Sequence, residues 1–403
     1  MKPLEGIKVI ELAQVVAAPT VGRVMSDFGA DVIKIEPLGG DVLRGAGIAY
    51  ALPIEEDDNP LFTIMNSGKK LTAVDTKSEE GYAILMALLE DADVFVSNVR
   101  MKSLVKMGLD YNTLKERFPR LIYAHFSGYG QTGPDANKPG YDSTAFWLRN
   151  GAMMDWKAED EFLMNPSYAF GDMTTSNAFL SGILMAIIGR ESTGEGTFVT
   201  TSLEASGIWC NMCDIISSQP QYGRKFEYDQ FHQTDPFCAI YKCSDGRYIG
   251  FYDNDYIAEK EKFARLFEME DIIDDERYET TTTLFKTNAI AEAIERMNAI
   301  MEKKTSAEWE KIFEENNISY EIAMHASEVS TDPQAEANGY LEEVEFPNGD
   351  RPKIPVPPVK YDKYDRKKTT PAGGIGADTD AVMAELGYTA EQIADLKSRA
   401  VIK

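Results

Sequence analysis

The feature that most constrains this chain is the alternation of strand and helix patterns through its first third. Residues Ile7 to Leu12 (IKVIEL) predict a strand. Pro19 to Phe28 predict a helix, with Pro inside its start and Gly29 just past its end. Asp31 to Glu36 (DVIKIE) is the next strand. Ser78 can cap an amphipathic helix over Glu79 to Glu90, followed by a strand at Asp93 to Asn98, a short helix at Tyr111 to Arg117 and a strand at Leu121 to Ser127. Strands joined through helices run parallel with right-handed crossovers, so the expectation is an α/β fold: a Rossmann-like large domain around an open, doubly wound parallel sheet.

After Gln219 short β-like runs and aromatics replace the alternation, and helical patterns follow at Glu259 to Glu268, Asn288 to Met301 and Ser306 to Asn316. This predicts a smaller α+β domain over 219–329, with 1–218 forming the large Rossmann-like domain. Pro347 to Pro358 carries five prolines and predicts an extended connector. The tail returns to amphipathic helix at Thr379 to Leu386 and Ala390 to Ala400.

Composition narrows the functional classes. With 41 Lys plus Arg against 66 Asp plus Glu, the net charge of -25 repels nucleic acid and anionic membranes. The longest near-apolar run, Ala178 to Ile188, falls short of the ~18 residues that a membrane span needs, and Glu5 and Glu11 interrupt any leader. With four cysteines read as reduced thiols, the expectation is a soluble cytoplasmic protein. Against that acidity, residues 66–120 hold nine basic and eight acidic side chains. Lys77, Arg100, Lys102 and Lys106 follow strand ends, the edge where open α/β sheets bind ligands. A polyphosphate ligand suits them, as does a merely solvated surface.

The dinucleotide fingerprint is absent. Glu36 stands where a ribose-binding acid would, but Ala13-Gln14-Val15-Val16-Ala17-Ala18-Pro19 replaces G-x-G-x-x-G, with side chains that block close approach of a pyrophosphate. The histidines His125, His232 and His325 show no metal-ligand spacing. Cys210 and Cys213 form a C-x-x-C, yet Ile208, Trp209 and Met212 around them point to a buried helix, so no metal is expected. The carboxylate that draws notice is Asp172, in Phe170-Gly171-Asp172-Met173 before the apolar run. A helix N-terminus there favours its negative charge and an oxyanion formed on its acylation, and Gly171 lets a bulky substrate come near. Taken alone, the same pattern describes an ordinary helix cap.

Several segments together resemble one family, the class III (CaiB/BaiF) CoA-transferases: Leu4-Glu5-Gly6-Ile7-Lys8-Val9-Ile10-Glu11-Leu12, Gly29-Ala30-Asp31-Val32-Ile33-Lys34-Ile35-Glu36, Gly108-Leu109-Asp110-Tyr111, Pro139-Gly140-Tyr141-Asp142, Gly171-Asp172-Met173 and Glu385-Leu386-Gly387. The resemblance implies an interlocked homodimer whose large domain is completed by the C-terminal segment 330–403. It implies transfer of CoA from an acyl-CoA to a free carboxylic acid, with no permanently bound cofactor and CoA thioesters as substrates. Asp172 aligns with the nucleophile that passes through an aspartyl anhydride and an aspartyl-CoA thioester. The CoA-binding positions fall on Val16, Ala17, Val74, Asp75, Thr76, Lys77, Asn98, Val99, Arg100 and Lys106, the last against the adenine or its phosphates. Tyr141 and Asp142 fall beside the nucleophile.

Some positions depart from an oxalate-type relative: Val16 replaces an assisting Gln, Pro37 a CoA-contacting Arg and Pro139 a CoA-contacting Lys, and its run of glycines is absent. Residues 15–19 (VVAAP), Ala337-Asn338-Gly339-Tyr340-Leu341 and the Pro347-Asn348-Gly349 turn resemble the clostridial branch acting on (R)-2-hydroxy acids such as 2-hydroxyisocaproate or phenyllactate. Val15, Val16 and Ala18 suit an apolar acyl chain there, or pack the strand-helix turn. Two rivals stand beside this reading. A 2-methylacyl-CoA racemase pairs His-Asp with its catalytic Asp, but Tyr141 occupies the His position and is a poor proton acceptor at pH 7. A non-catalytic acyl-CoA-binding protein is argued against by the retained Gly171-Asp172.

Overall fold

The computed structural model describes residues 2–55, 58–157, 162–164, 166, 168–223, 235–252 and 255–403. The chain divides into two compact units, one of Met1–Ala152, Asn165–Ile216 and Pro333–Lys403 and the other of Met153–Met164 and Ser217–Asp332. His232 lies outside the described residues.

The first unit is built on six parallel strands: β1 (Lys8–Leu12), β2 (Asp31–Glu36), β3 (Lys70–Ala73), β4 (Val94–Ser97), β5 (Ile122–Ser127) and β6 (Phe198–Ser202). Their order is β3-β2-β1-β4-β5-β6, which is the Rossmann-like α/β arrangement expected. The order reverses between β1 and β4, so a crevice opens beyond the carboxyl ends of those two strands. Helices α1 (Ala17–Asp27), α2 (Glu79–Glu90), α3 (Met101–Lys106) and α4 (Phe170–Thr193) connect or flank the strands. Ser78 caps α2 as expected, its Oγ accepting from Gly81 N at 3.0 Å. The last residues bind along the edge of β3: Ile402 bridges Val74, Lys403 N donates to Ala73 O at 3.1 Å, and the Asp378 carboxylate accepts from Leu71 N at 2.8 Å.

Three expectations need correction. The proline-rich stretch is not wholly a connector, because it contains strand β11 (Lys353–Pro355), antiparallel to β10 (Leu341–Glu343); Pro355 is tolerated in a two-stranded ribbon that has free edges. The apolar run at 178–188 belongs to a 24-residue helix that starts at Phe170. Around Cys210 and Cys213 the expected buried helix is instead two short helices, α5 (Leu203–Cys210) and α6 (Met212–Ser217), on which Ile208, Trp209, Met212 and both cysteines are exposed, Trp209 by 74%.

In the second unit β7 (Cys238–Lys242), β8 (Tyr248–Tyr252) and β9 (Ser319–Ile322) form an antiparallel meander. Helices at Tyr256–Leu266, Ala289–Met301 and Ser306–Glu315 cover an aromatic core of Phe237, Phe251, Phe263, Phe267, Trp309 and Phe313. Among the described residues no helix is long and apolar enough to cross a membrane.

Candidate active site

Asp172 is the third residue of α4 and only half buried. The helix starts from Ala169, whose φ of 64° places it in the left-handed region. The sequence expectation that Gly171 lets a bulky substrate come near is not what its surroundings show. A Cβ there would meet Phe146 Cγ at 2.4 Å, so the missing side chain serves packing of the α4 first turn against Phe146. Ser176, one turn on, lies 2.6 Å from Ala17 O and 2.7 Å from Asp172 O and joins the starts of α1 and α4.

The electrostatics also differ from the simple helix-terminus expectation. Asp142 supplies the accepting carboxylate at this terminus, its Oδ2 taking Asp172 N–H at 2.9 Å. Burial pushes the Asp172 carboxyl up to about 7, and the neighbouring Asp142 charge adds to the rise. Burial likewise raises Asp142, opposed by the N–H groups of Asp172 and Gly171. Desolvation and like charge thus outweigh the helix dipole, leaving a carboxylate poorly solvated and readily protonated.

The β1–α1 loop faces this turn and is tightly held. Asn98 Nδ2 donates to Gln14 O at 2.7 Å and its Oδ1 accepts from Gln14 N at 3.1 Å, so this residue ties the ends of β1 and β4 together at the switch point. Val15 has a φ of 69°, rare for a β-branched residue. Beneath the loop runs a charge network absent from the sequence reading. Glu11 bonds Lys34 at 3.1 Å and Lys69 at 2.7 Å, Lys34 bonds Asp41 at 2.9 Å, and these side chains are buried. Burial drives Lys69 down to about 7 despite Glu11, whereas the surrounding carboxylates of Glu11 and Asp41 more than offset burial at Lys34 and hold it above its usual value. Glu36 is buried and bonded through both oxygens to Arg44, at 2.8 and 2.9 Å, so it is unavailable to a ribose.

The other candidates separate by exposure. Val16, Ala17 and Val74 are buried in the core, Val15 is half buried and Tyr141 is exposed. Asp75, Thr76, Asn98 and Val99 are half buried at the carboxyl edge of the sheet. Val99 O is bonded at 2.8 Å by the buried His125, whose other ring nitrogen meets Gln131. Lys77, Arg100, Lys102 and Lys106 are exposed, and none pairs with a carboxylate among the described residues. By contrast Lys69, Lys70 and Arg117 are held by Glu11, by Asp31 and Glu385, and by Glu90. Sequence reasoning missed Tyr50 and Tyr168, whose rings stand 4.6 Å apart. Burial, its bond to Tyr50 and the charges of Asp172 and Asp41 all raise the Tyr168 hydroxyl. Neither lies in a motif: Tyr168 stands four residues before Asp172, and the fold brings Tyr50 against Tyr168.

A six-stranded parallel sheet with its order reversal at β1 and β4, and a desolvated carboxylate pair next to the β1–α1 loop, define a Rossmann-like α/β protein with a built site at the carboxyl edge of the sheet. The chain belongs to CoA-transferase family III, whose family model matches residues 4–379, and is an enzyme of that class. It is 34% identical over 400 residues to the (R)-2-hydroxy-4-methylpentanoate CoA-transferase of Clostridioides difficile, covering 99% of both chains. It is 33% identical to the cinnamoyl-CoA:phenyllactate CoA-transferase of Clostridium sporogenes, covering 97% of this chain and 95% of that one. A CaiB/BaiF family protein from Brucella suis superposes with a TM-score of 0.78 at 26% identity, over 96% of this chain and 99% of its own.

Proposed function

We propose that the enzyme transfers CoA from an acyl-CoA to an (R)-2-hydroxy acid with a branched aliphatic or aromatic side chain, using Asp172 as nucleophile. The observation that carries this reading is the poorly solvated Asp172 carboxylate beside Asp142 and the β1–α1 loop. A carboxylate stripped of water is a better nucleophile toward a thioester, and water exclusion protects the anhydride that results. Asp172 Oδ attacks the acyl carbonyl carbon, the C–S bond breaks, and CoA leaves as thiolate. The thiolate then attacks Cγ of the mixed anhydride, releasing the first acid as its carboxylate and leaving an aspartyl-CoA thioester. The incoming acid's carboxylate attacks that Cγ, expelling thiolate, and the thiolate takes the new acyl group and frees Asp172. Each bond broken is matched by one formed, so the thioester energy is not lost to water.

The 2-hydroxy acid assignment is supported by the names of the two clostridial relatives, by apolar Val15 packed with Ala169, and by Tyr168, which feels the Asp172 charge and carries Tyr50 against its ring. Mass spectrometry of the enzyme incubated with isocaproyl-CoA alone is the test: a CoA adduct on the Asp172 peptide is expected, and turnover without any adduct there overturns the mechanism.

The unpaired cations after β3 and β4 support binding of the CoA phosphates along that edge, with Asp75 to Lys77 and Asn98 to Arg100 lining it over the buried Val74. Lys106→Ala is therefore expected to raise KM for acyl-CoA about 5–10-fold while changing KM for the acid less than twofold in steady-state kinetics, as loss of one exposed charge-assisted phosphate contact implies.

A cytoplasmic homodimer completes the reading. The exposed apolar side chains Met185 and Ile188 on α4 and Ile208, Trp209, Met212 and Ile216 on α5 and α6 support burial against a second copy of the chain. Sedimentation equilibrium is expected to give twice the 44.9 kDa chain mass, and Trp209→Glu to lower it.

A further inference from the structure

Val15 is the point of departure. A β-branched residue in the left-handed region is strained and persists only where its surroundings over-determine it. Here Val15 N donates to both oxygens of Asp41, at 3.1 and 3.3 Å, while the preceding residues are fixed by Asn98 at Gln14 and by Lys34 Nζ at Ala13 O, 2.6 Å. Asp41 serves three donors at once, since Lys34 Nζ lies 2.9 Å from Oδ2 and Leu43 N 3.0 Å from Oδ1. Behind Lys34 stand Glu11 and Lys69, so the carboxylate is anchored in a buried network.

The loop so held reaches the Asp172 turn through packing. Val15 and Val16 belong to one apolar cluster with Leu43, Phe62 and Ala169, and Ala169 is itself left-handed immediately before α4. The carbonyl of Ala17 and that of Asp172 share the Ser176 hydroxyl. Two backbone segments in sparsely populated conformations therefore meet beside the carboxylate that carries the acyl group.

We propose that Asp41 is a positioning residue for acyl transfer at Asp172: its buried carboxylate holds Val15 left-handed, and the Val15–Val16 wall in turn fixes the first turn of α4. The inference rests on Asp172 being the nucleophile. It goes beyond that reading by assigning a role in turnover to a residue that follows β2, caps the short helix Val42–Gly45 and touches no reacting atom.

The test is a cycle of Asp41→Asn and Val15→Gly, read as the rate of covalent labelling of Asp172 by acyl-CoA and as kcat, on folded protein well below its melting temperature. An amide has one acceptor oxygen and cannot serve Val15, Leu43 and Lys34 together. Asp41→Asn is expected to slow labelling and kcat about 10–100-fold, with KM for acyl-CoA moving less than threefold. Glycine adopts the left-handed region freely, so in the Val15→Gly background the same Asp41→Asn change is expected to slow labelling less than threefold. Equal losses in both backgrounds, or no loss in either, would overturn the role of Asp41. Absence of label on wild-type Asp172 would instead overturn the nucleophile assignment. Should Asp41→Asn not fold, Val15→Pro and Val15→Ala replace it: proline cannot reach positive φ, so labelling at least tenfold slower than in Val15→Ala supports the proposal, and equal rates sink it.

Discussion

Asp172→Asn is expected to abolish CoA transfer, by about 10⁴-fold or more in kcat, while making the protein more stable. The loss follows from the chemistry, because an amide cannot attack the thioester. The gain follows from desolvation. The carboxyl rises from 3.8 in the unfolded chain to about 7 in the folded one, so the folded state binds its proton more tightly. Stability contributed by that proton is fully present below about pH 4 and is lost as pH rises through 7. Three units correspond to a ceiling near 4 kcal/mol, and discounting for the half-exposed side chain leaves about 1–2 kcal/mol at pH 8. Calorimetry is expected to show Asp172→Asn melting about 2–4 °C above wild type at pH 8, with a smaller gain at pH 5. A variant less stable than wild type at pH 8 would mean that Asp172 is a helix-stabilising cap. The same titration sets activity: kcat/KM for acyl-CoA is expected to climb as pH rises through about 7 and then level off.

The second large effect concerns the charge network under the β1–α1 loop. Glu11→Gln is expected to destabilise the first unit by about 3–5 kcal/mol, because it leaves two buried lysines with one carboxylate, Asp41, between them. The site is also closed to relaxation: a Cβ on Gly22 would lie 2.1 Å from Glu11 Oε2, so the carboxylate fits against a glycine of α1 with no spare room. The control is Glu90→Gln, which removes a partner from the exposed Arg117 pair and is expected to change stability by less than about 1 kcal/mol. Urea denaturation compares the two, and equal midpoints would show that Lys34 and Lys69 do not depend on Glu11.

How much of this was legible in the sequence depends on what each residue reports locally. Strands β1, β2, β4 and β5 stand out because a parallel sheet is covered on both faces and its central strands are nearly continuous apolar runs. Strand β3 (KLTA) escapes that signal through its brevity and Thr72, and β6 (FVTTS) through three hydroxyl residues on an edge strand. Asp172 was legible from its helix-start pattern together with the family resemblance. Its raised carboxyl was not, since that comes first from burial, which only the fold brings about, and then from the charge of Asp142, thirty positions away. Glu11 and Lys34 interrupt the apolar runs of β1 and β2, and nothing local pairs them with each other. They are fully buried, and only the pairing of β1 with β2 shows them answering each other. Gly171 was misread for the same reason, as its neighbour Phe146 comes from a distant segment.

The way the tail lies along β3 has a consequence for biosynthesis. The outer strand is complete by Ala73, yet the groups that cover its flank, Asp378, Thr379 and Ile402, are translated some three hundred residues later. At ~5–20 residues per second, the nascent sheet spends tens of seconds with one side open to other chains. Chaperone dependence and slow-codon effects in this protein should therefore concentrate in the interval after β3 emerges and before the last thirty residues do.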